Sequence, residues 1–249
     1  MTNLTDFAAL HRSADPLVLF NIWDAGSAAA VAAAGAKAIA TGSLSLAGAQ
    51  GFADGEAIPF DALLVTVRQI ADAIDLPLTV DCETGYAEDL AELTRNAQAL
   101  QDAGAIGCNI EDGRIGSEEL RATTEQAARI EAAARVGLFI NARTDVFLKP
   151  LMAGEDPNLQ ALLDQAIERA HAYREAGAGC FFAPGLSAPA LIEELCSTVR
   201  MPVNVMRRDA MPTNAELGRL GVARISHGPG PWREAMALLT RAARAAWDS

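Results

Sequence analysis

Two apolar stretches of the chain each end on a pair of acidic residues. The stretch LPLTVDCETGY ends on Asp81 and Glu83, and the stretch AIGCNIEDG ends on Glu111 and Asp112. Alternate side chains of a strand share a face, so Asp81 and Glu83 point the same way. On neighbouring strands these carboxylates gather negative charge in one place, which a cation or a bound proton must relieve. The spacing therefore predicts a divalent-metal site.

Apolar runs of strand length recur through the whole chain and must position these acids. Their near-continuous apolar character is typical of parallel strands that are buried on both faces. Helical segments separate them, and several of these close on glycine, as at Gly35, Gly104 and Gly177. Eight such units predict an α/β fold, a single-domain TIM (β/α)8 barrel over residues 1–249, with an open doubly wound sheet as the alternative. The predicted strands lie at 16–23, 38–43, 76–81, 105–111, 138–143, 180–185, 202–206 and 223–228.

In a TIM barrel the active site lies at the carboxyl ends of the strands, and most of these ends are polar here. Strand 1 ends at Asp24, which either caps the following helix or serves the site. Strand 8 reaches His227, which either packs in the wall or takes part in catalysis. The other polar ends are Thr41 to Ser43 on strand 2, Arg143 and Asp145 on strand 5, and Asn204 and Arg207 on strand 7.

The bulk composition restricts partners and compartment. A formal charge of −12 and a pI near 4.7 argue against a nucleic-acid partner, because phosphate contacts need clustered Lys and Arg. No apolar run reaches membrane-spanning length, and the N-terminal residues lack a basic-then-apolar signal pattern, so we expect no membrane partner and a cytoplasmic location. The four cysteines lack metal-type spacing and are expected to be buried free thiols, with Cys82 and Cys108 facing away from the acids.

Five segments in order carry a family resemblance. They are NIWDAGSA (21–28), ATGSLSLAGAQGFADGE (40–56), DCETGY (81–86), NIED (109–112) and NARTDVFL (141–148). Together they resemble the isocitrate lyase/phosphoenolpyruvate mutase superfamily, and the resemblance runs over nearly the whole chain. The strand-3 signature of that superfamily, Asp-x-(Asp/Glu)-x-Gly-Tyr, is matched at Asp81, Glu83, Gly85 and Tyr86.

The resemblance implies a metal site with few protein ligands. Asp81 would bind Mg²⁺, or Mn²⁺ as an alternative, directly, with Glu83 and Glu111 in its water-mediated shell. Such a hard cation keeps positions open for a chelating 2-oxo carboxylate. As a Lewis acid it would stabilise the enolate that forms when the adjacent bond breaks.

The resemblance also assigns substrate-binding and catalytic residues. Asp54 would lie close to substrate and metal, and Arg143 would pair a substrate carboxylate through a planar fork that Lys could not imitate. Backbone amides around Gly42, Ser43 and Leu44 would hold a carboxylate or enolate oxygen. The expected catalytic residues are Asp54, Tyr86 and Arg143; the expected substrate-binding residues are Thr41, Gly42, Ser43, Leu44, Asp81, Arg143 and Asn204.

The chain departs from the superfamily after strand 4. The lyase branches carry a mobile loop with a Lys-Lys-Cys-Gly-His motif there, whereas EDGRIGSEELRATTEQ contains no Cys, His or Lys. The longer lid of the mutase branch is missing too. A proton would then be carried by Arg114, Tyr86, His227 or a metal-bound water, with Glu118 and Glu119 as further candidates.

We therefore predict a Mg²⁺-dependent lyase that cleaves a C–C bond of a small 2-oxo or 2-hydroxy acid, or decarboxylates it, through an enolate. The alternatives are phosphonomutase or carboxyphosphonoenolpyruvate-type C–P chemistry, and a weakly active relative that only binds a keto acid. The partner is expected to be a small anionic 2-oxo or dicarboxylic acid.

The C-terminal segment predicts an amphipathic helix that carries Trp232, Leu238, Leu239 and Trp247. It either folds back on its own barrel or, as the resemblance implies, swaps onto a neighbouring one. We expect a homodimer or a homotetramer.

Overall fold

All eight predicted strands form, and each lies within its predicted range. The structure is a computed structural model that describes residues 4–248. The strands are β1 (Leu17–Leu19), β2 (Ile39–Ala40), β3 (Leu78–Asp81), β4 (Gly107–Glu111), β5 (Phe139–Arg143), β6 (Cys180–Phe182), β7 (Val203–Met206) and β8 (Arg224–Ser226).

The strands form one parallel sheet that closes on itself. Their order is β1-β8-β7-β6-β5-β4-β3-β2, so every neighbour is also a neighbour in sequence apart from the pair of β1 and β8. An isolated parallel bridge between Ile22 and Thr41 joins the two outer edges, supported by the Ile22 amide donating to the Ala40 carbonyl at 2.8 Å. The TIM barrel is confirmed, and the open doubly wound sheet is wrong.

Helices wrap the barrel and close its lower end. In α4, Leu63, Val67 and Ile70 repeat at helical spacing and are buried against the sheet. The helices are α1 (Leu4–Ala9), α2 (Ala25–Ala33), α3 (Ser43–Ala49), α4 (Phe60–Ala73), α5 (Leu90–Asp102), α6 (Thr123–Ala134), α7 (Leu148–Met152), α8 (Gln160–Glu175), α9 (Pro189–Thr198), α10 (Asn214–Arg219) and α11 (Gly230–Trp247). Among residues 4–248, no helix is both long and apolar enough to cross a bilayer.

Two apolar clusters fill the fold. The larger one lies between strands and helices and includes Cys82 and Cys108, which confirms that both thiols face away from the acids. The smaller one contains inward-facing barrel residues such as Leu19 and Phe139. Phe7 of α1 packs edge-on against Phe139, with ring centroids 5.1 Å apart, at the amino-terminal end of the barrel. All four cysteines are free, and three of them are buried.

The strand register brings the polar ends to one level. Asp81 of β3 lies opposite Asn109 of β4, which lies opposite Asn141 of β5. Two residues further along β4 and β5, Glu111 lies directly opposite Arg143. Because the strands are parallel, all of these side chains rise toward the same, carboxyl-terminal mouth of the barrel.

Candidate active site

A cavity of about 560 Å³ opens at the carboxyl-terminal mouth of the barrel. Its floor contains Asp81, Asn109, Arg143 and Ser226 from four different strands. The volume falls within the roughly 300–1,000 Å³ range of small-molecule sites. The position agrees with the expectation that barrel enzymes bind substrates where their strands end.

Asp81 lines this cavity, and only one of its two carboxylate oxygens accepts a hydrogen bond from the described residues. Its amide donates to Thr41 Oγ1 at 2.9 Å, and its Oδ2 accepts from the Ser43 amide at 3.2 Å. Its Oδ1 is buried and has no hydrogen-bond partner among the described residues. A buried, unsatisfied carboxylate oxygen is costly unless a cation or a solvent molecule completes it.

Further carboxylates surround Asp81, and we name the set of Asp54, Asp81, Glu83 and Glu111 the acidic corner. Burial and the charge of Asp81 raise the pKa of Glu83 to about 8. The same two causes raise the pKa of Asp54, and burial raises the pKa of Glu111 well above its usual range. The raised pKa values show that the charged carboxylates are disfavoured here. A divalent cation bound nearby would stabilise their ionised forms.

Glu83 is held by the loop between α3 and α4. The Glu56 amide donates to both of its carboxylate oxygens, at 3.0 and 2.9 Å, and the Tyr86 hydroxyl contacts it at 3.4 Å. The Glu56 carboxylate in turn accepts from the amides of Thr84 and Tyr86, at 2.9 and 3.0 Å. The loop between α3 and α4 and the loop after β3 therefore hold each other through reciprocal hydrogen bonds beside the acidic corner. We name this arrangement the clasp.

This clasp stores backbone strain. Glu56, Glu83 and Tyr86 all adopt positive φ angles, of 58°, 48° and 52°. Residues other than glycine rarely adopt this left-handed conformation, and such strain concentrates at functional sites. Gly85, at φ 99°, supplies the glycine of the strand-3 signature, and a Cβ there would lie 2.3 Å from Leu93 Cδ1. An alanine at position 85 would therefore have a strained backbone and would have to displace the buried Leu93 side chain.

Glu111 and Arg143 form an ion pair at the centre of the floor. Arg143 Nη1 lies 2.7 Å from Glu111 Oε2, and its Nε lies 2.7 Å from Asp145 Oδ1. Burial alone would lower the pKa of Arg143, but Asp145 and Glu111 raise it above its ordinary value. Its charge is thus compensated by the protein, although the side chain still lines the cavity.

Asp112 anchors the floor from below rather than serving the cavity. Its carboxylate accepts from the Thr144 hydroxyl at 2.7 Å, the Asp145 amide at 2.9 Å and the Tyr173 hydroxyl at 2.8 Å. Arg169 Nη1 completes the network at 3.0 Å. Asp112 is fully buried, so this network fixes the ends of β4 and β5 and thereby orients Glu111 and Arg143.

The predicted residues divide into those that reach the cavity and those behind its wall. Thr41 supports Asp81, Glu83 and Tyr86 belong to the clasp, and Glu111 contacts Arg143. Asn204 is buried and bonds Ser226 Oγ at 3.0 Å, so it supports a cavity residue without lining the cavity. The predicted residues that line the cavity are Gly42, Ser43, Leu44, Asp54, Asp81 and Arg143.

The candidates for proton transfer are now narrowed by position. His227 lines the cavity, whereas Arg114 forms an exposed ion pair with Glu125 at 2.6 Å. Glu118 and Glu119 lie on the same exposed loop and are not among the cavity residues. Asp24 caps α2 through a reciprocal pair of hydrogen bonds with Ser27, which favours the capping interpretation.

Sequence inspection missed several residues that shape the site. Glu56 lies in the 40–56 segment that carries the family resemblance, but Asp54 is the one acid of that segment that the resemblance marks. Asn21 also lies in such a segment; its Oδ1 accepts from the amides of His227 and Gly228, at 2.9 and 2.8 Å, and orders the β8 loop. Arg208 and Arg233 line the cavity, and their positions carried no sequence signal.

The acidic corner suits Mg²⁺ with few direct protein ligands. Within residues 4–248, no set of three or more His, Cys, Asp or Glu side chains converges closely enough to hold an ion by itself. Asp81 Oδ1 has no hydrogen-bond partner among the described residues, so it could bind a hard cation directly. Mg²⁺ prefers oxygen ligands of this kind. A Mg²⁺ site of this kind keeps most of its positions for water and substrate.

The fold and the site together define a TIM barrel with an acidic corner at its carboxyl-terminal mouth. The chain belongs to the phosphoenolpyruvate phosphomutase family, whose model matches residues 7–247. It is 31% identical over 224 residues to 2-methylisocitrate lyase of Escherichia coli (strain K12), covering 87% of this chain and 75% of that protein. The family resemblance stated from the sequence is thereby confirmed.

Solved structures agree with this assignment. A protein of Burkholderia cenocepacia J2315, provisionally described as a phosphonomutase, is 48% identical, has a TM-score of 0.92 and matches 97% of this chain and 99% of its own. Phosphonopyruvate hydrolase in complex with oxalate and Mg²⁺ is 21% identical, has a TM-score of 0.85 and covers 100% of this chain and 88% of its own, which shows the shared fold. The chain is thus an enzyme of the lyase and mutase type.

Proposed function

We propose that this enzyme is a Mg²⁺-dependent lyase that acts on a small 2-oxo or 2-hydroxy carboxylic acid through an enolate. The observation that carries the proposal is the buried Oδ1 of Asp81, which has no hydrogen-bond partner among the described residues although the other three carboxylates of the acidic corner lie close enough to Asp81 to interact with its charge. Mn²⁺ is an alternative ion of the same oxygen-binding type. The phosphonopyruvate hydrolase complex supports the choice of ion, since that relative binds oxalate together with Mg²⁺.

Each residue has a defined part in this proposal. Asp81 would hold the ion directly, with Glu83 and Glu111 contacting it through water. When bound, Mg²⁺ supplies Lewis-acid stabilisation of the enolate oxygen. Ser43 orients Asp81 through its amide and contacts the Asp54 carboxylate through its side chain. Arg143, already held by Glu111 and Asp145, presents the rest of its guanidinium fork to a substrate carboxylate.

His227 is the best-placed protein group to move a proton. It lines the cavity, and burial followed by the charge of Arg207 lowers its pKa below the usual value. A neutral imidazole at neutral pH can accept the hydroxyl proton of a 2-hydroxy acid when its C–C bond breaks. Decarboxylation of a 2-oxo acid whose leaving carboxylate is β to the keto group, as in oxaloacetate, leaves the electron pair in the enolate and needs no such base, so the two reactions should differ in their dependence on His227.

Carbon–phosphorus chemistry is the second candidate. It is favoured by the 48% identity to the Burkholderia protein that is provisionally described as a phosphonomutase. Against it, the β4–α6 loop is short and exposed, and it does not reach the cavity. Phosphoryl migration must exclude water from a reactive intermediate, and this loop offers no such cover.

A turnover panel separates these hypotheses. Oxaloacetate, methylisocitrate and phosphonopyruvate are each incubated with enzyme and Mg²⁺, and again with excess chelator. We expect the enzyme to turn over oxaloacetate or methylisocitrate, and excess chelator to abolish that turnover. Asp81→Asn should show no turnover, whereas the control Asp61→Asn, on the exposed start of α4, should retain full turnover. Turnover of phosphonopyruvate alone would transfer the assignment to C–P chemistry. Binding of 2-oxo acids without any turnover would leave a keto-acid-binding relative.

We also propose that the protein is a homodimer or a homotetramer. Leu238, Leu239 and Trp247 of α11 are 60%, 62% and 80% exposed, so one helix presents three large apolar side chains to solvent. Packing against a second barrel, with or without helix exchange, would cover them. Sedimentation as a monomer at micromolar concentration would contradict this proposal. A cytoplasmic location stays a prediction.

A further inference from the structure

A single residue, Glu56, joins the segment 53–58 to the loop after β3. Its amide donates to both carboxylate oxygens of Glu83. Its Oε1 accepts from the Thr84 amide at 2.9 Å, from the Thr84 hydroxyl at 2.8 Å and from the Tyr86 amide at 3.0 Å. In the described part of the chain, no other residue of the segment forms a hydrogen bond with that loop. The clasp therefore depends on one residue.

The segment has little packing of its own to fix its position. Residues 50–54 are exposed, and a Cβ added at Gly51 or Gly55 would meet no atom within 4 Å. Ile58 is the one buried member of the segment. Apart from the contact between the side chains of Ser43 and Asp54, the course of the backbone before Ile58 is therefore decided at Glu56.

The backbone conformation of Glu56 shows that its side chain is needed there. Glu56 has a φ of 58°, directly after Gly55 with a φ of 89°. Glycine adopts such angles freely, whereas a residue with a side chain keeps one only where its surroundings over-determine it. The three hydrogen bonds that Oε1 accepts supply this constraint. Position 56 thus retains a strained residue because its carboxylate holds the neighbouring loop.

Two residues of the acidic corner are positioned through Glu56. Glu83 accepts two hydrogen bonds from the Glu56 amide, at 3.0 and 2.9 Å, so the orientation of its carboxylate follows the position of that amide. Asp54 lies two positions before Glu56 and lines the cavity together with Asp81. A displacement of Glu56 would therefore move both Glu83 and Asp54.

The clasp requires an acceptor oxygen at position 56 rather than a negative charge. All three donors of Thr84 and Tyr86 converge on Oε1 of Glu56. The carbonyl oxygen of a glutamine side chain could accept the same hydrogen bonds. Glutamine would therefore preserve a positioning role and would abolish a role that depends on the charge of Glu56.

We infer that Glu56 is a positioning residue that sets the affinity of the acidic corner for its metal ion and the placement of Asp54. Glu56 is not among the residues that line the cavity, so it acts through Glu83 and through its own backbone. Groups that orient metal ligands typically contribute roughly 10- to 100-fold to metal affinity. This role rests on the proposed function only for the identity of the ion.

Calorimetric titration with Mg²⁺ tests the effect on the ion. Glu56→Ala removes the side chain without adding backbone freedom, and Glu56→Gly removes it without leaving a strained residue. Both should raise the dissociation constant of Mg²⁺ by roughly tenfold or more. Glu56→Gln should bind Mg²⁺ as the native protein does. So should the control Glu88→Ala, which removes an exposed carboxylate from the loop after β3.

Three outcomes of this titration would overturn the positioning role. Native affinity in both Glu56→Ala and Glu56→Gly would show that the side chain does not act on the ion. An effect in only one of these two variants would assign it to the backbone. A loss in Glu56→Gln as large as that in Glu56→Ala would show that the charge, rather than the acceptor oxygen, is required. A purely structural role would lower the melting temperature without changing the affinity for Mg²⁺.

Amide exchange without metal separates this role from the proposed function. The Thr84 and Tyr86 amides should exchange slowly in the native protein and in Glu56→Gln. In Glu56→Ala and Glu56→Gly they should exchange roughly tenfold faster or more, as expected for the loss of a hydrogen bond to a charged group, while the amides of β5 keep their rates. If this pattern holds but the native protein binds no Mg²⁺, the proposed function fails and the positioning of the two loops by Glu56 stands. If the native protein binds Mg²⁺ and both variants keep native exchange and native affinity, the positioning role alone is refuted.

Discussion

Replacing Asp81 by Asn should abolish Mg²⁺ binding without destabilising the metal-free protein. The substitution preserves shape and removes one charge. Asp81 Oδ1 has no hydrogen-bond partner to lose, and an Asn carbonyl can still accept from the Ser43 amide. At worst one hydrogen bond is weakened, a cost of about 1 kcal/mol.

The gain comes from Glu83. Burial, and then the charge of Asp81, raise the pKa of Glu83 from 4.5 to about 8. At pH 7 this shift costs the folded state at most ~3 kcal/mol, since one unit of pKa corresponds to ~1.4 kcal/mol. Burial is the larger cause and persists in the variant, so only part of this cost, on the order of 1 kcal/mol, is recoverable. The metal-free variant should therefore melt within a few degrees of the native protein, or above it.

The same variant should lose the stabilisation by metal. Mg²⁺ at 100 times its dissociation constant stabilises a folded protein by about 2.7 kcal/mol, or roughly 5–10 °C in a chain of this size. Melting curves with and without Mg²⁺, alongside calorimetric titration, should show this shift for the native protein and for Asp61→Asn but not for Asp81→Asn. An Asp81→Asn variant that is destabilised by more than ~2 kcal/mol without metal, yet still binds Mg²⁺, would refute the metal site and indicate a structural ion network.

Three further predictions follow from the same contacts. Arg143→Lys should leave Mg²⁺ binding intact but weaken the binding of a 2-oxo acid by roughly tenfold, because the two-pronged contact is lost. Calorimetric titration of Mg²⁺, and then of the 2-oxo acid at constant Mg²⁺, measures the two affinities. Between pH 4.5 and about 8 the folded metal-free protein retains a proton on Glu83 that the unfolded chain releases, so its free energy of unfolding should fall as pH rises through this window. Urea denaturation across the window should show this slope, and Glu83→Gln should flatten it; an equal slope in the variant would assign the effect elsewhere. Gly85→Ala should cost ~2–4 kcal/mol, because it places a Cβ on a residue with φ 99° and within 2.3 Å of Leu93 Cδ1, whereas Gly35→Ala, at φ 94° with open space, should cost only ~1 kcal/mol. Equal losses for the two glycine variants in urea would contradict the packing argument.

Local patterns explain why the strands and the acids could be predicted. Burial on both faces makes a parallel strand read as a continuous apolar run, so each strand was visible in its own few residues. Alternation then placed Asp81 and Glu83 on one face and Cys82 on the other, and the structure keeps Cys82 in the outer core. The closure of the barrel was predicted only through the number of units, since the Ile22–Thr41 bridge that joins its edges has no local pattern.

The finer division of the site could not be predicted in this way. Thr41, Asn204 and Tyr86 carry polar groups at the expected strand ends, but packing turns them toward Asp81, Ser226 and Glu83 rather than into the cavity. Which way a strand-end side chain turns depends on the neighbouring strand and on the loops above it. Those neighbours come from distant parts of the chain.

The sequence by itself determined the eight βα units, the carboxylates at the ends of β3 and β4, and the absence of the superfamily's loop motif, because each is written in a few consecutive residues. The tertiary structure alone decided three other features. It paired Glu111 with Arg143 through the register, brought Glu56 onto Glu83, and collected Arg208 and Arg233 on one wall of the cavity. These contacts join residues from 25 to 32 positions apart, or on different loops, and they exist only once the stagger of the closed barrel has fixed which strand ends meet.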